Sequence, residues 1–271
     1  MIRDACILNR NVALASILMH RESRYSIRHS VDAAVVSHVV GSFLGMQDEE
    51  LSSATSAALT MNLGMLSLQD YLQRHAGPLS DSDRQTIRRH PDESVGLLQQ
   101  YGVTDHLWVR VVQDHHESIA GSGYPARKTV DDLLLPMRLV TLSDIYCTRV
   151  SSRDYRGPLR PSAALHNILF GDGVSVEKFL AAQFIKALGV FPSGAPVRLN
   201  NGEIAIVTQQ GEKANVPVVH SVINGQGARI STPIRRETWH ASYGIRGAVD
   251  FGELGGAASM QALWGEDAAL S

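Results

Sequence analysis

The chain has 271 residues, of which 44% are hydrophobic and 19% charged, with a formal net charge of −2. This composition is typical of a globular domain, and the balanced charge gives no field that would attract a nucleic-acid polymer or a membrane surface. Cys6 and Cys147 form no Cys-x-x-Cys pair, which argues against a disulfide framework or a structural zinc cluster. We therefore expect a cytoplasmic protein.

The first predicted element is an amphipathic helix at the N-terminus. Its apolar run is interrupted by Asn11 and His20. The run is too short and too polar for a membrane span, and no small-residue cleavage site follows it. We expect neither a transmembrane segment nor a signal peptide.

Helical patterns continue to about residue 190. Val-rich residues 31–44 repeat at helical spacing and end at Gly45, and Asp48 is expected to cap the next helix. Ser80 and Asp83 resemble a capping box, and the helix they begin is predicted to end near His90–Pro91. Later helical patterns run through Trp108–Val112, Leu133–Val150, Ala163–Phe170 and Val176–Leu188.

The pattern changes after residue 190. A Pro/Gly turn is followed by two short apolar runs separated by Asn201–Gly202, which predicts a β-hairpin. We expect a mostly α fold in which residues 1–190 form a helical domain and residues 191–245 a small β appendage. Residues 246–271, rich in Gly and Ala, are predicted to be a flexible tail.

The segment HHESIAGSGYP carries the strongest chemical signal. Adjacent imidazoles at His115 and His116 are typical transition-metal ligands. Gly121 and Gly123 allow backbone to approach a ligand closely, and Tyr124 offers an aromatic ring and a hydroxyl. The combination predicts a metal site beside a recognition turn.

This segment resembles the signature of HD-GYP domains, a subgroup of the HD phosphohydrolase superfamily that hydrolyses cyclic di-GMP. The segments RHSVDAAVVSHVV, RRHPDESVGLL, LSDIYCTRVSSRDYRGP and LGVFPSGAPVRLNNGEIAIV are similar to others of that family, in the same order, so the resemblance covers roughly residues 20–210. It implies an HD-type helical bundle. The metal ligands it implies are His29, His90, His115, His116 and Asp144. The substrate-binding residues it implies are Gly121, Gly123, Tyr124, Pro125, Arg153 and Arg156.

The namesake His-Asp pair of the family is replaced. With Leu63–Gly64 setting the register, Met61 stands at the position of the His, Asn62 at that of the Asp, and Met65 at that of a following Lys. Tyr25 occupies the position of a Glu that supplies a further ligand in three-metal members. By this resemblance the chain has no intact set of catalytic residues.

These replacements weaken one half of the implied site. Asn62 is neutral and offsets none of the repulsion between two cations, and the Met61 thioether is a poor ligand for Fe, Mn or Zn. Met65 supplies no positive charge for a substrate phosphate. We expect at most one ion, held by His90, His115 and His116, and not a two-metal centre.

Three functions remain open from the sequence. The first is a degenerate HD-GYP domain, impaired in hydrolysis, that acts by binding cyclic di-GMP or a related nucleotide, or by docking a signalling protein. The second is an active phosphodiesterase with an altered, mononuclear centre. The third is a metal-free helical interaction module. The sequence leaves the oligomeric state and the identity of a protein partner undetermined.

Overall fold

A computed structural model describes residues 1–20, 22–151, 159–170 and 177–270. The chain divides into two compact units. One, the sheet unit, comprises Met1–Arg21, Leu159–His166 and Phe184–Ser271, and the other, the helical unit, comprises Glu22–Pro158 and Asn167–Gln183. The mostly α fold with a C-terminal β region is confirmed.

The helices and strands follow the predicted order. The α-helices are α1 (Ile2–Met19), α2 (Tyr25–Phe43), α3 (Asp48–Thr60), α4 (Leu66–Arg74), α5 (Asp81–Gln100), α6 (His106–Asp114), α7 (Leu135–Val150), α8 (Pro161–Phe170), α9 (Lys178–Leu188) and α10 (Met260–Trp264). The strands are β1 (Pro196–Leu199), β2 (Ile204–Gln209), β3 (Val218–Ile223), β4 (Arg229–Glu237) and β5 (Ile245–Ala248).

Helix α2 forms the centre of the helical unit, where it packs against α3 and α7. Its Val36 and Val40 are completely buried, and so are polar residues such as His29 and Ser37. Residues 32–41 are all buried, and a helix stretch that is buried all round belongs to the interior of a bundle. This position brings His29 into the core, close to α7.

Helix α5 continues through a proline, so the prediction that it ends near His90–Pro91 is wrong. It extends to Gln100 and buries Pro91 and Leu98 on its inner face. Proline removes a single helical hydrogen bond, the one to the carbonyl of Ile87 four residues earlier. Burial of the following turns outweighs that local cost.

Helix α1 belongs to the sheet unit, whereas the sequence pattern grouped it with residues 1–190. Its Asn11 Oδ1 accepts hydrogen bonds from Ser193 Oγ at 3.0 Å and from the Gln210 N–H at 3.3 Å. Gly194 approaches Ala15 so closely that a Cβ there would lie 2.9 Å from the Ala15 Cα. Hydrophobic periodicity identified this helix but could not identify its packing partner. Among the described residues, no helix is long and apolar enough to cross a membrane.

The β region is a five-stranded antiparallel sheet in the order β4-β3-β2-β1-β5, larger than the predicted hairpin. The predicted β1–β2 hairpin forms its centre, with Val197 opposite Ala205, and Gly202 in the turn has φ +87°. The residues of β1 and β2 are nearly all buried, which explains why their sequence reads as continuous apolar runs.

Residues 246–271 are not a flexible tail where the structure describes them. Strand β5 pairs with β1, with Ala248 opposite Val197. Val249, Leu254 and Leu263 are buried in one cluster with core residues of β2 and β3. Gly and Ala suggested a flexible segment, but the widely spaced apolar residues are sufficient to anchor it to the sheet.

The buried carboxylate of Glu203, directly before β2, contacts residues of β3 and β4. Glu203 accepts two hydrogen bonds from Arg236, at 3.0 and 2.9 Å, and one from Ser221 Oγ at 2.6 Å. The Arg236 guanidinium is the main reason that the pKa of Glu203 falls from 4.5 to about 2. Its folded-state pKa is depressed, so the stability it contributes is present above pH 4.5 and is lost as the pH falls towards 2.

We expect Glu203→Gln to destabilise the protein at pH 7 by about 1–3 kcal/mol, because Arg236 loses its charged partner. The difference from the wild type should shrink as the pH falls below about 4.5. Urea unfolding across this pH range measures it. Glu212→Gln, which changes an exposed carboxylate of the same unit, should follow the wild type. A pH-independent deficit for Glu203→Gln would contradict the role of its charge.

Candidate metal centre

Helix α5 supplies the first imidazole of the centre, and the proline after it sets its orientation. Because Pro91 has no N–H, the carbonyl of Ile87 has no helical donor. His90 Nδ1 lies 2.6 Å from that carbonyl oxygen. A carbonyl only accepts, so Nδ1 carries the proton and Nε2 presents its lone pair to the interior.

The second imidazole, His115, is oriented in the same way. Helix α6 ends at Asp114, which leaves carbonyl groups of its last turn without helical donors. His115 Nδ1 donates to the Val112 carbonyl at 2.7 Å, so its Nε2 also carries a lone pair. The Nε2 atoms of His115 and His90 lie 3.2 Å apart. Two lone pairs at this distance repel each other unless a cation lies between them or near both.

The third imidazole is His116, whose ring lies at 85° to that of His90 with the centroids 5.0 Å apart. Tyr124 stacks on His116 at 4.7 Å and 24°. Within the described parts of the chain, His116 Nε2 is buried and has no hydrogen-bond partner. One nitrogen from each of His90, His115 and His116 lies within 4.8 Å of the others, a spacing that one metal ion can bridge.

The electrostatic environment keeps these three rings neutral. Burial, with a smaller contribution from His115, lowers the pKa of His90 to about 3. Burial also lowers the pKa of His115, and burial together with the charge of His115 lowers that of His116 well below its usual value. Unprotonated imidazole is the form that binds a metal, so no proton has to be displaced at neutral pH.

The other predicted ligands, His29 and Asp144, form a pair between α2 and α7 that lies close enough to His115 and His116 to influence their charge. His29 Nε2 lies 2.8 Å from Asp144 Oδ1. Burial alone would raise the pKa of Asp144, but the hydrogen bond with His29 and nearby imidazoles hold it well below its usual range. In contrast to His90 and His115, the other nitrogen of His29, Nδ1, is buried with no partner among the described residues. No backbone carbonyl therefore fixes its tautomer as a ligand.

The substituted segment after α3 is buried beside these residues. Met61 is completely buried and Asn62 is 1% exposed, whereas Met65 is half-buried. Neither amide atom of Asn62 has a hydrogen-bond partner within the described residues. A buried amide without partners destabilises a protein by roughly 1–3 kcal/mol, so this position is not optimised for stability.

The register of this segment against α5 is set by Gly64 and Ser94. Ser94 Oγ donates to the Met61 carbonyl and accepts from the Gly64 N–H, both at 2.9 Å. A Cβ on Gly64 would lie 2.8 Å from the carbonyl oxygen of His90. The glycine therefore permits the close approach that brings this segment against α5 at His90 and Ser94.

The turn after the histidines, residues 117–129 and here called the GYP loop, folds back on the protein. Gly121 has φ +71°, and a Cβ on Gly123 would lie 2.5 Å from the Ser118 nitrogen. Both glycines are thus required by the chain's own backbone, whereas the sequence associated them with a ligand. The half-buried Tyr124 and the exposed Pro125 border the centre. The substrate-binding role of these four residues stays a prediction.

Arg153 and Arg156, predicted to bind phosphate, lie outside the described residues.

Three residues that hold the centre together were not recognised from the sequence: Asp114, Glu117 and Lys128. Lys128 Nζ lies 2.7 and 2.6 Å from the carboxylate oxygens of Asp114. No sequence pattern predicts a contact between residues that are this far apart along the chain. A visible signal was Asp114, a charged residue directly before the paired histidines.

The family model described as HD domain matches residues 13–174. This match covers more than half of the chain, and the protein therefore belongs to the HD domain family.

Curated relatives are cyclic-dinucleotide phosphodiesterases by name. The chain is 26% identical over 257 residues to the cyclic di-GMP phosphodiesterase PA4108 of Pseudomonas aeruginosa, covering 88% of this chain and 62% of that protein. It is 25% identical over 177 residues to 3'3'-cGAMP-specific phosphodiesterase 3 of Vibrio cholerae, covering 65% and 38%. The chain thus spans less than two thirds of the length of these relatives.

A solved structure supports the fold. Bd1817, an HDGYP protein from Bdellovibrio bacteriovorus, superposes with a TM-score of 0.50 at 18% identity. The match covers 59% of this chain and 51% of the other. The HD-type helical architecture predicted from the sequence is confirmed.

We expect Gly64→Ala to destabilise the protein by about 1–3 kcal/mol, because the new Cβ meets the backbone of α5 beside His90. The matched control is Gly96→Ala, at an exposed position of the same helix where a Cβ meets nothing within 4 Å. The control should stabilise by about 0.5–1 kcal/mol. Chemical denaturation distinguishes the two, and equal effects would contradict the close approach at Gly64.

Proposed function

We propose that this chain is a degenerate HD-GYP-type domain that holds one transition-metal ion at His90, His115 and His116. It recognises cyclic di-GMP or a related cyclic dinucleotide but hydrolyses it poorly. Its output is nucleotide binding, or docking of a signalling protein in response to the nucleotide. The relatives' activities on cyclic di-GMP and 3'3'-cGAMP support the ligand class.

One observation carries the proposal: the two halves of the site differ in how their histidines are oriented. His90 and His115 donate from Nδ1 to backbone carbonyls and direct Nε2 towards each other. Such outer hydrogen bonds fix the tautomer of a metal-binding imidazole. His29 has no such acceptor on Nδ1 within the described residues, and its Nε2 is engaged by Asp144.

The loss of negative charge at Asn62, in the half of the site that also contains Met61, accounts for impaired hydrolysis. Two-metal hydrolysis requires ions about 3.5–4 Å apart, whose repulsion an anionic bridging ligand offsets. Asn62 provides no charge, and the buried Met61 provides only a soft donor. A single ion of Fe, Mn or Zn held by His90, His115 and His116 would lower the pKa of a coordinated water and polarise a phosphate. Without the second ion and without a lysine at position 65, we expect hydrolysis about 10²–10³-fold slower.

A second candidate is a slow but active mononuclear phosphodiesterase. It is favoured by the same three imidazoles, because a three-histidine site leaves a coordination position open for water. The two candidates share the metal and the nucleotide and differ in turnover.

Metal analysis and turnover assays test the proposal together. We expect the purified protein to bind one Mn, Fe or Zn ion per chain and to bind cyclic di-GMP or 3'3'-cGAMP without sustained hydrolysis. His115→Ala should abolish metal binding, and His20→Ala, which removes an exposed imidazole of the sheet unit, should not. Steady formation of linear product would favour the mononuclear enzyme. Absence of both metal and nucleotide binding would contradict both candidates.

Restoring the family residues should rebuild the missing half. We expect the triple variant Met61→His, Asn62→Asp and Met65→Lys to bind a second ion and to gain turnover by about 10²–10³-fold. Addition of Mn should raise its melting temperature by more than it raises that of the wild type. The reason is that the introduced His and Asp side chains gain a partner only when the ion is bound. A triple variant that binds no more metal than the wild type would show that this segment does not complete the site.

A further inference from the structure

The GYP loop is closed by a buried ion pair. Lys128 Nζ contacts both carboxylate oxygens of Asp114, whose side chain is 0% exposed while that of Lys128 is 27% exposed. Arg110 Nε lies farther from the same carboxylate, at 3.8 Å. A buried carboxylate requires a partner, and the contacts of Lys128 make it the principal one. Asp114 directly precedes His115, so the pair ties the end of the loop to the start of the metal centre.

A second set of contacts presses the loop onto the same residues. Glu117 accepts hydrogen bonds from the backbone N–H groups of Ala126, at 2.5 Å, and Lys128, at 2.9 Å. The Tyr124 N–H donates to the carbonyl of His116 at 3.2 Å. The backbone of residue 128 is thus held by Glu117 while its side chain is held by Asp114. Together these contacts hold residues 126–128 of the loop against Asp114 and Glu117, the two carboxylates that flank the histidine pair in the sequence.

The consequence of loop closure is the position of one aromatic ring. Tyr124 stacks on His116 with centroids 4.7 Å apart. The His116 ring also lies close to the other two imidazoles, with centroids 4.1 Å from His115 and 5.0 Å from His90. Within the part of the chain that the structure describes, His116 Nε2 has no hydrogen-bond partner, and the Tyr124 ring stacks on this imidazole instead.

We propose that Lys128 is a positioning residue: through Asp114 it keeps the GYP loop closed, so that Tyr124 holds the His116 imidazole directed at His90 and His115. The inference about loop closure stands on the contacts themselves, and its effect on metal affinity rests on the proposed function. Groups that orient a metal ligand from outside typically affect affinity by about 10–100-fold.

Titration with Co(II), followed by its visible absorption, tests the effect on the metal. We expect Lys128→Met to weaken Co(II) binding by about 10–100-fold relative to the wild type. Lys128→Arg keeps the charge and should return most of the affinity. The matched control, Lys213→Met, removes an exposed lysine of the sheet unit and should leave the affinity unchanged. Equal Co(II) affinity in Lys128→Met and wild type would overturn the proposal.

A metal-free measurement keeps loop closure testable if the wild type itself binds no Co(II). In NMR spectra of the apo protein with labelled tyrosines, the Tyr124 ring signals, identified by their loss in Tyr124→Phe, should be shifted by the stacked His116. Lys128→Met should remove that shift and Lys128→Arg should retain it. An unchanged shift in Lys128→Met would overturn the proposal. Failure of the wild type to bind Co(II) would count against the proposed function alone.

A double variant separates positioning from general destabilisation. Lys128→Met leaves the Asp114 carboxylate buried without its main partner, which by itself disfavours folding. Asp114→Asn combined with Lys128→Met removes both charges and avoids that penalty. We expect the double variant to fold, as judged by its circular dichroism, and to lose the Tyr124 shift. A folded double variant that keeps the shift would overturn the proposal.

Discussion

The centre of this protein depends on hydrogen bonds between imidazoles and backbone carbonyl groups that have lost their helical donors. The Ile87 carbonyl is available because Pro91 has no N–H, and the Val112 carbonyl is available because α6 ends at Asp114. Each carbonyl takes the Nδ1 proton of a buried histidine and turns Nε2 inwards. A proline within α5 and the end of α6 thus fix the orientation of two candidate ligands.

Charge distinguishes the three-imidazole half of the site from the half that contains His29, Asp144 and Asn62. Neutral imidazoles in a buried environment are compatible with one cation, because they bring no excess charge of their own into the core. A second cation would require anionic ligands, and Asp144 is the one anion among the five predicted ligands. Asn62 adds dipoles without charge. The same chemistry explains why Asp114, the buried carboxylate next to the histidine pair, is matched by Lys128.

The sequence predicted most helices, the hairpin and the family, because these depend on local periodicity, turn residues and short motifs. It failed where tertiary packing overrides a local signal. Pro91 is a local helix breaker, but burial of the turns around it carries α5 onward to Gln100. Residues after 245 have the composition of a flexible segment, but Val249, Leu254 and Leu263 reach a common core. A few apolar residues that pack against the buried face of the sheet are enough to order such a segment.

The sequence by itself determined the chemical inventory: which ligand types are present, and a resemblance that places Met61, Asn62 and Met65 at the positions of a His, an Asp and a Lys. These are properties of residues in a recognisable order. Only the tertiary structure decided which of the five candidate ligands meet. It brings one nitrogen each of His90, His115 and His116 within 4.8 Å of the others and pairs His29 with Asp144 beside them. The reason is that tautomer, burial and partner depend on groups distant in the chain, such as Ile87 for His90 and Lys128 for the loop that carries Tyr124.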